Sequence, residues 1–204
     1  MSAVSQTAGG DIRAPGRPRD ARVDQRILDA ALDLFLEDGF DAMSIESVAE
    51  RAGVGKTTIY RRWQSKEELV LATVDTLYEG MEIPDTGDVR SELTNVVKHM
   101  HELIRNTKAG RALPRMASEL ARGTPLGNAY MRNVMAPRLA ALGAALRRAE
   151  DRGDLREDLD VEIAVASIVG PMMFLVLTGR IANLDEGLAG RLVDQAIGGM
   201  KRLE

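Results

Sequence analysis

The chain has 204 residues, room for one large domain or two small ones, and 45% of them are apolar against 28% charged, the balance of a globular protein rather than a disordered one. It contains no cysteine, which excludes disulfides and thiolate metal sites and gives no sign of secretion. The formal net charge is −4, yet residues 42–66 hold five cations (Arg51, Lys56, Arg61, Arg62, Lys66) against Glu46 and Glu50, and a basic patch on an acidic body suits a protein that meets phosphate at one end only.

Residues 1–21 are rich in Gly, Ser, Ala and Pro without apolar periodicity and are expected to form a disordered arm, with Arg17 and Arg19 giving its end positive charge. A first helix is expected over 23–38, where Ile27, Ala31, Leu34 and Phe35 repeat at i, i+4, i+7, i+8 and Gly39 supplies a stop. Ser44 is the N-cap candidate of a second helix that buries Ile45, Val48 and Ala49 and ends near Ala52. Gly53 permits a sharp turn. A third helix is expected over 56–63, with Ile59 and Trp63 inward, and Ser65 with Glu68 caps a fourth over 66–80.

Composition shifts at residues 83–87, a boundary loop. Asp88 then caps an amphipathic helix carrying Val89, Leu93, Val96, Val97, Met100 and Ile104. A shorter helix follows over 109–122, then a long one from Thr124-Pro125 to about 151, which Pro137 should kink. Asp160 opens an apolar helix to about 178, bent by Pro171, and a last helix over 184–202 buries Leu188, Leu192, Val193, Ala196, Ile197 and Met200. The few aromatics and the abundance of Ala, Leu, Met, Arg and Glu favour an all-α fold throughout. The longest apolar run, 163–177, is broken by Ser167, Gly170 and Pro171, too short and interrupted for a membrane span. No signal peptide is visible, and a cytoplasmic location is expected.

The second and third helices make a helix-turn-helix: small Ala49 lets them cross closely, Gly53 turns the chain, and Val54 and Ile59 lock the pair. The third helix then carries Thr57, Thr58, Tyr60 and Arg61, groups able to bond base edges or phosphate oxygens. Lys66 sits at the amino end of the fourth helix, where free N–H groups favour an anion. Arg61 and Arg62, about 100° apart on a helix, cannot both face a duplex equally, and Tyr60 lies between inward Ile59 and outward Arg61, so residue geometry alone leaves it between core and DNA face.

The run Ile27…Ala31…Leu34-Phe35…Gly39, Ser44-Ile45…Val48-Ala49…Ala52-Gly53-Val54…Thr58-Ile59-Tyr60…Trp63…Ser65-Lys66-Glu67-Glu68-Leu69 resembles the TetR family of bacterial transcriptional regulators. The resemblance implies an all-α homodimer: an arm over 1–21, an amino-terminal three-helix helix-turn-helix domain over 22–68, and a larger carboxy-terminal helical ligand-binding and dimerisation domain over 69–204. It implies that Ser44, Thr57, Tyr60 and Lys66 touch the DNA backbone, that Thr58 and Arg61 lie near base edges, and that Arg17 and Arg19 enter the minor groove. Gly55 stands where a serine is often found, and Trp63 where phenylalanine is usual. The carboxy-terminal half is similar only loosely, through Arg152-Gly153-Asp154-Leu155, Gly170-Pro171 and the last amphipathic helix. The implied four-helix dimer interface is expected to use Ala164, Ile168, Met172, Leu175, Val193, Ile197 and Met200.

Methionine is enriched beyond residue 80, which reads either as core packing or as a plastic apolar pocket. For the pocket, Met100, Leu103, Met116, Met131, Met135 and Phe174 are the candidate liners, with Ser118, Asn128 and Thr178 available to orient a ligand. His99 and His101, two apart on a helix, make no chelate and are expected in solvent or in a satisfied polar contact. No nucleophile–base set, Gly-rich phosphate loop or metal cluster is visible, so no enzyme, cofactor or metal is expected. The expected activity is that of a repressor on a pseudo-palindromic double-stranded operator, released by an apolar small-molecule inducer. A helical small-molecule carrier or sensor, its helix-turn-helix serving only to pack, is the alternative.

Overall fold

A computed structural model describes residues 21–78, 80–180, 185 and 187–201. Arg17 and Arg19 lie outside these. The described residues form ten α-helices joined by turns, with no strand among them.

Helix α1 (Ala21–Ala42) buries Ile27, Ala30, Ala31, Leu34 and Phe35, and it is broken at Gly39, whose φ of 81° suits glycine alone. The expected stop is therefore real, although residues 40–42 resume the coil beyond it. Helix α2 (Ile45–Ala52) starts at a reciprocal cap: the Ser44 hydroxyl accepts from the Ser47 N–H and the Ser47 hydroxyl from the Ser44 N–H, both at 3.1 Å. It ends at Gly53, left-handed at φ 66°. Helix α3 (Lys56–Tyr60) is shorter than expected. The Arg62 and Trp63 N–H groups both donate to the Ile59 carbonyl, which tightens the chain into a turn.

Helix α4 (Lys66–Asp75) starts at Ser65, whose hydroxyl accepts from the Glu68 N–H, while the Glu68 carboxylate reaches back to the Gln64 N–H. It stops at Asp75 and passes into a 3-10 turn, Thr76–Tyr78, short of the expected 80. The helix packs on α1 at one side and on the later helix α7 (Pro125–Tyr130) at the other, so the expected division at 68/69 falls inside it.

Helix α5 (Val89–Asn106) is capped by Asp88, whose carboxylate accepts from the Arg90 and Ser91 N–H groups. Its buried face contains Leu93, Val97 and Ile104 as the periodicity implies, and also Glu92, which is fully buried. That carboxylate accepts from the Thr86 N–H, the Thr86 hydroxyl and the Gly87 N–H at 2.7–3.2 Å, so it pins the boundary loop. His101 is buried, not solvated, and its Nε2 has no hydrogen-bond partner among the described residues.

Helix α6 (Ala112–Ala121) leads to α7 and then to α8 (Ala136–Asp151) through a π turn, Met131–Met135. The distortion expected at Pro137 thus lies just before it. Proline has no N–H for the Asn133 carbonyl, and the wider turn, in which the Ala136 N–H reaches the Met131 carbonyl, takes up the mismatch. Helix α9 (Val161–Leu177) is capped by Asp160 and contains Pro171, and α10 (Leu188–Met200) packs on α5 and α9. Among the described residues no helix is long and apolar enough to cross a membrane.

Candidate nucleic-acid interface

The α2–α3 pair is anchored from below and bare above. Ile59 is completely buried and Ala49 nearly so, and the Val54 N–H closes the turn on the Ala49 carbonyl at 2.9 Å. Thr57, Tyr60 and Arg61 are exposed, with Thr58 half-buried. Tyr60 is 51% exposed, one of four large hydrophobic side chains left in solvent among the described residues, so it is no core residue. The two adjacent arginines part company. Arg62 turns inward, ion-paired to Asp24 of α1 and donating to the Thr58 carbonyl, and it braces α3 against α1. The Arg61 backbone N–H closes on the Thr57 carbonyl, while its guanidinium has no hydrogen-bond or ion-pair partner among the described residues.

The rest of the basic patch is partly neutralised. Lys56 pairs with Glu46 and Arg51 with Glu37, each at 2.8 Å. The Glu46 contact raises the Lys56 ammonium above its usual range and lowers Glu46 in turn, the hydrogen bond being the main cause. Such exposed pairs are weak and exchange readily for a phosphate. Lys66 differs. Its ammonium donates to the Phe40 carbonyl at 2.7 Å and the Met43 carbonyl at 3.0 Å, and lies 4.3 Å from the Phe40 ring centroid. Two of its three donors thus tie α4 to the link between α1 and α2, leaving one for an outside acceptor. Ser44 is half-buried and occupied in its cap.

A cavity of about 370 Å³ opens among the end of α4, the loop after it, α5 and α8. Of the expected liners it brings together Met100 and Met135. Leu103 and Met131 are half-buried elsewhere and Met116 is completely buried in the core. Phe174 lies outside altogether, on the exposed face of α9. Ser118, Asn128 and Thr178 are exposed, and the last two bond nearby backbone carbonyls. The wall instead carries a polar cluster that no periodicity announces: Asp75, Tyr78 and Arg138. Arg138 pairs with Asp75 at 2.8 Å, donates to the Val134 carbonyl, and lies 4.4 Å from the Tyr78 ring centroid. The Tyr78 hydroxyl meets the Tyr130 hydroxyl at 2.9 Å and the Met135 sulfur at 3.7 Å. Desolvation pushes both phenols above their usual range, so both keep their protons.

The expected pairing residues face inward. Ala164, Ile168, Met172, Val193, Ile197 and Met200 are buried in the protomer's own core, and Leu175 is half-buried. For Val193, Ile197 and Met200 the reason is that they form the apolar face by which α10 packs on α5 and α9; for the α9 residues it is that helix's all-round apolar character, which offers two stripes, of which the home core takes one. The other stripe is Ile163, Gly170, Phe174 and Leu177, at spacings of 7, 4 and 3. Ile163 is 67% exposed, and Phe174 and Leu177 57% each; with Tyr60 they complete the four exposed large hydrophobics among the described residues. On α10, which packs against α9, Leu192 and Ala196 are half-buried and Gly199 is exposed. Among the described residues no group of three or more His, Cys, Asp or Glu could hold a metal ion.

Residues 27–73 match the family described as bacterial regulatory proteins, tetR family, and residues 83–196 match the tetracyclin repressor-like C-terminal domain. The chain is 34% identical over 172 residues to the uncharacterized HTH-type transcriptional regulator YdeS of Bacillus subtilis (strain 168), spanning 82% of this chain and 85% of that one. It is 33% identical over 178 residues to the DNA-binding transcriptional repressor TetR of Mycobacteroides abscessus, spanning 84% and 90%. Among solved structures, the TetR family transcription regulator SCO0332 superposes with a TM-score of 0.67 at 30% identity, covering 89% of this chain and all of that one.

Proposed function

The chain belongs to the TetR family of bacterial transcriptional regulators, and from that premise we propose that it is a repressor, working as a homodimer on a pseudo-palindromic operator and released when a small molecule fills the α4–α5–α8 cavity. It is a DNA-binding regulator and not an enzyme. The observation that carries the reading is the exposure of Thr57, Tyr60 and Arg61 on a short helix whose opposite side is locked by fully buried Ile59 and by the Arg62–Asp24 pair.

In this proposal Thr58 and Arg61 approach base edges, while Thr57, Tyr60, Ser44 and the third Lys66 donor hold phosphates. Residues 22–68 read DNA, residues 69–204 bind ligand and pair, and α4 crosses between the two. The exposed stripe of α9 with its α10 neighbours supports the pairing surface, since apolar area of this kind marks an interface and a two-fold axis would place the same stripe on itself. The work on DNA puts the protein in the cytoplasm. The inducer acts by linkage, favouring the spread dimer over the DNA-competent one by about 1–3 kcal/mol.

A salt titration on an operator fragment and on random DNA tests this. Affinity for the operator should fall roughly 10³-fold or more between about 50 and about 200 mM salt, with the operator always preferred. A flat response without site preference would favour a helical carrier.

A further inference from the structure

We infer that the cavity takes an amphipathic monoanion, an apolar body ending in one oxyanion, whose head replaces Asp75 on Arg138 and so unlatches α4. This rests on the inducer reading above and names the ligand chemistry and the residues it would engage.

The wall is mostly apolar, with Met81, Val96, Met100, Met135 and Leu139 among its members. Among the described residues its one cation is Arg138. A guanidinium has five N–H donors, and two are used here, on Asp75 and on the Val134 carbonyl. The other three have no partner among the described residues. The neighbouring phenol adds a further donor. Tyr78 and Tyr130 bring two hydroxyl protons to one shared bond, and the remaining proton finds only the Met135 sulfur at 3.7 Å, a weak acceptor. Underused donors beside a cation fit an incoming oxyanion.

The sign of the ligand's charge follows from which partner can leave. Among the described residues the Asp75 carboxylate holds only Arg138, and its side chain is 55% exposed, so a displaced carboxylate swings into water at little cost. Arg138 is 26% exposed and gripped by the Val134 carbonyl and the Tyr78 ring as well. A cationic ligand would have to evict Arg138 from three contacts. An anionic one evicts Asp75 from one.

The displacement has somewhere to go. Asp75 is the last residue of α4, and Lys66, the first, holds the Phe40 and Met43 carbonyls directly before the Ser44 cap. Ten residues at about 1.5 Å each make a rod of roughly 15 Å, with the ion pair at one end and the α1–α2 link at the other.

Calorimetric titration of the full chain with decanoate, decanol and decyltrimethylammonium tests the assignment. Decanoate should bind at least about tenfold more tightly than either of the others. Arg138→Gln should erase that preference and keep decanol binding, which reports an intact cavity. Asp75→Asn should keep decanoate binding and weaken operator affinity about tenfold without ligand. Equal binding of decanoate and decanol by the wild type, a preserved preference in Arg138→Gln, no decanoate binding, or an Asp75→Asn protein with unchanged operator affinity would each overturn the inference. Should Arg138→Gln lose the cavity altogether, the wild-type comparison decides. Failure with operator preference intact removes this ligand assignment alone. Absence of operator preference in the unliganded wild type removes the regulatory reading instead.

Discussion

Phe174→Asp is expected to yield a folded monomer that no longer holds an operator. The side chain is 57% exposed in the protomer, so aspartate removes little from the home core and the helix content should stay. In the proposed dimer the same position is covered by a second copy. An uncompensated charge buried there is unfavourable by on the order of 3–5 kcal/mol, and the two-fold axis counts it twice. Dimerisation should weaken by roughly 10⁴-fold or more, and a monomer reaches only one half-site. Sedimentation or light scattering at micromolar concentration checks the mass, with circular dichroism as the control for folding. A persistent dimer would show that the α9 stripe is not the contact. The reverse substitution on the inward stripe, such as Met172→Asp, should unfold the protomer, because Met172 is completely buried.

Tyr60→Ala should weaken operator and random DNA alike, by about 100-fold. A hydrogen bond to a charged acceptor contributes roughly 1.5–3 kcal/mol, and a dimer has two copies; the lower figure applies because the site is open to water. Stability should hardly change, since half of the ring is already in solvent. Lys66→Ala provides the contrast. It should weaken DNA binding and also lower the melting temperature, because the ammonium holds two backbone carbonyls and stacks on Phe40. Unchanged affinity in Tyr60→Ala would mean that α3 does not meet phosphate at this edge. A Lys66→Ala protein as stable as the parent would mean that the two carbonyl bonds are not holding the α1–α2 link.

The amino-terminal third was the most legible because its signals are local. Ser44, Gly53 and Ser65 act through their own backbone neighbours, and Ile27, Ala31, Leu34 and Phe35 lie on a helix with one apolar side. What spacing could not reveal was the choice between equivalent options. Arg61 and Arg62 differ only in which one finds Asp24, some 38 positions earlier. Likewise, α9 is apolar on all sides, so its periodicity contains no polar stripe to say which half turns home; Phe174, expected in a pocket, is exposed, and Ile168, expected at a partner, is buried in the protomer's own core. The cavity was the least legible. Asp75 and Tyr78 meet Arg138 across some 60 positions of chain, where the end of α4 comes against the π turn that precedes α8, and methionine enrichment selects flexible apolar residues without saying which ones share a wall. Met100 and Met135 do so, while Met116 fills the core.

Selection of binding fragments from a random duplex pool, run with the wild type beside Arg61→Ala, tests the central claim most directly. The wild type should enrich an inverted repeat whose half-sites lie about one helical turn, roughly 34 Å, apart or slightly more. Arg61→Ala should lose sequence preference at one symmetric position in both halves. An enriched site without two-fold symmetry, or identical preferences for the two proteins, would contradict a paired α3 reading the groove.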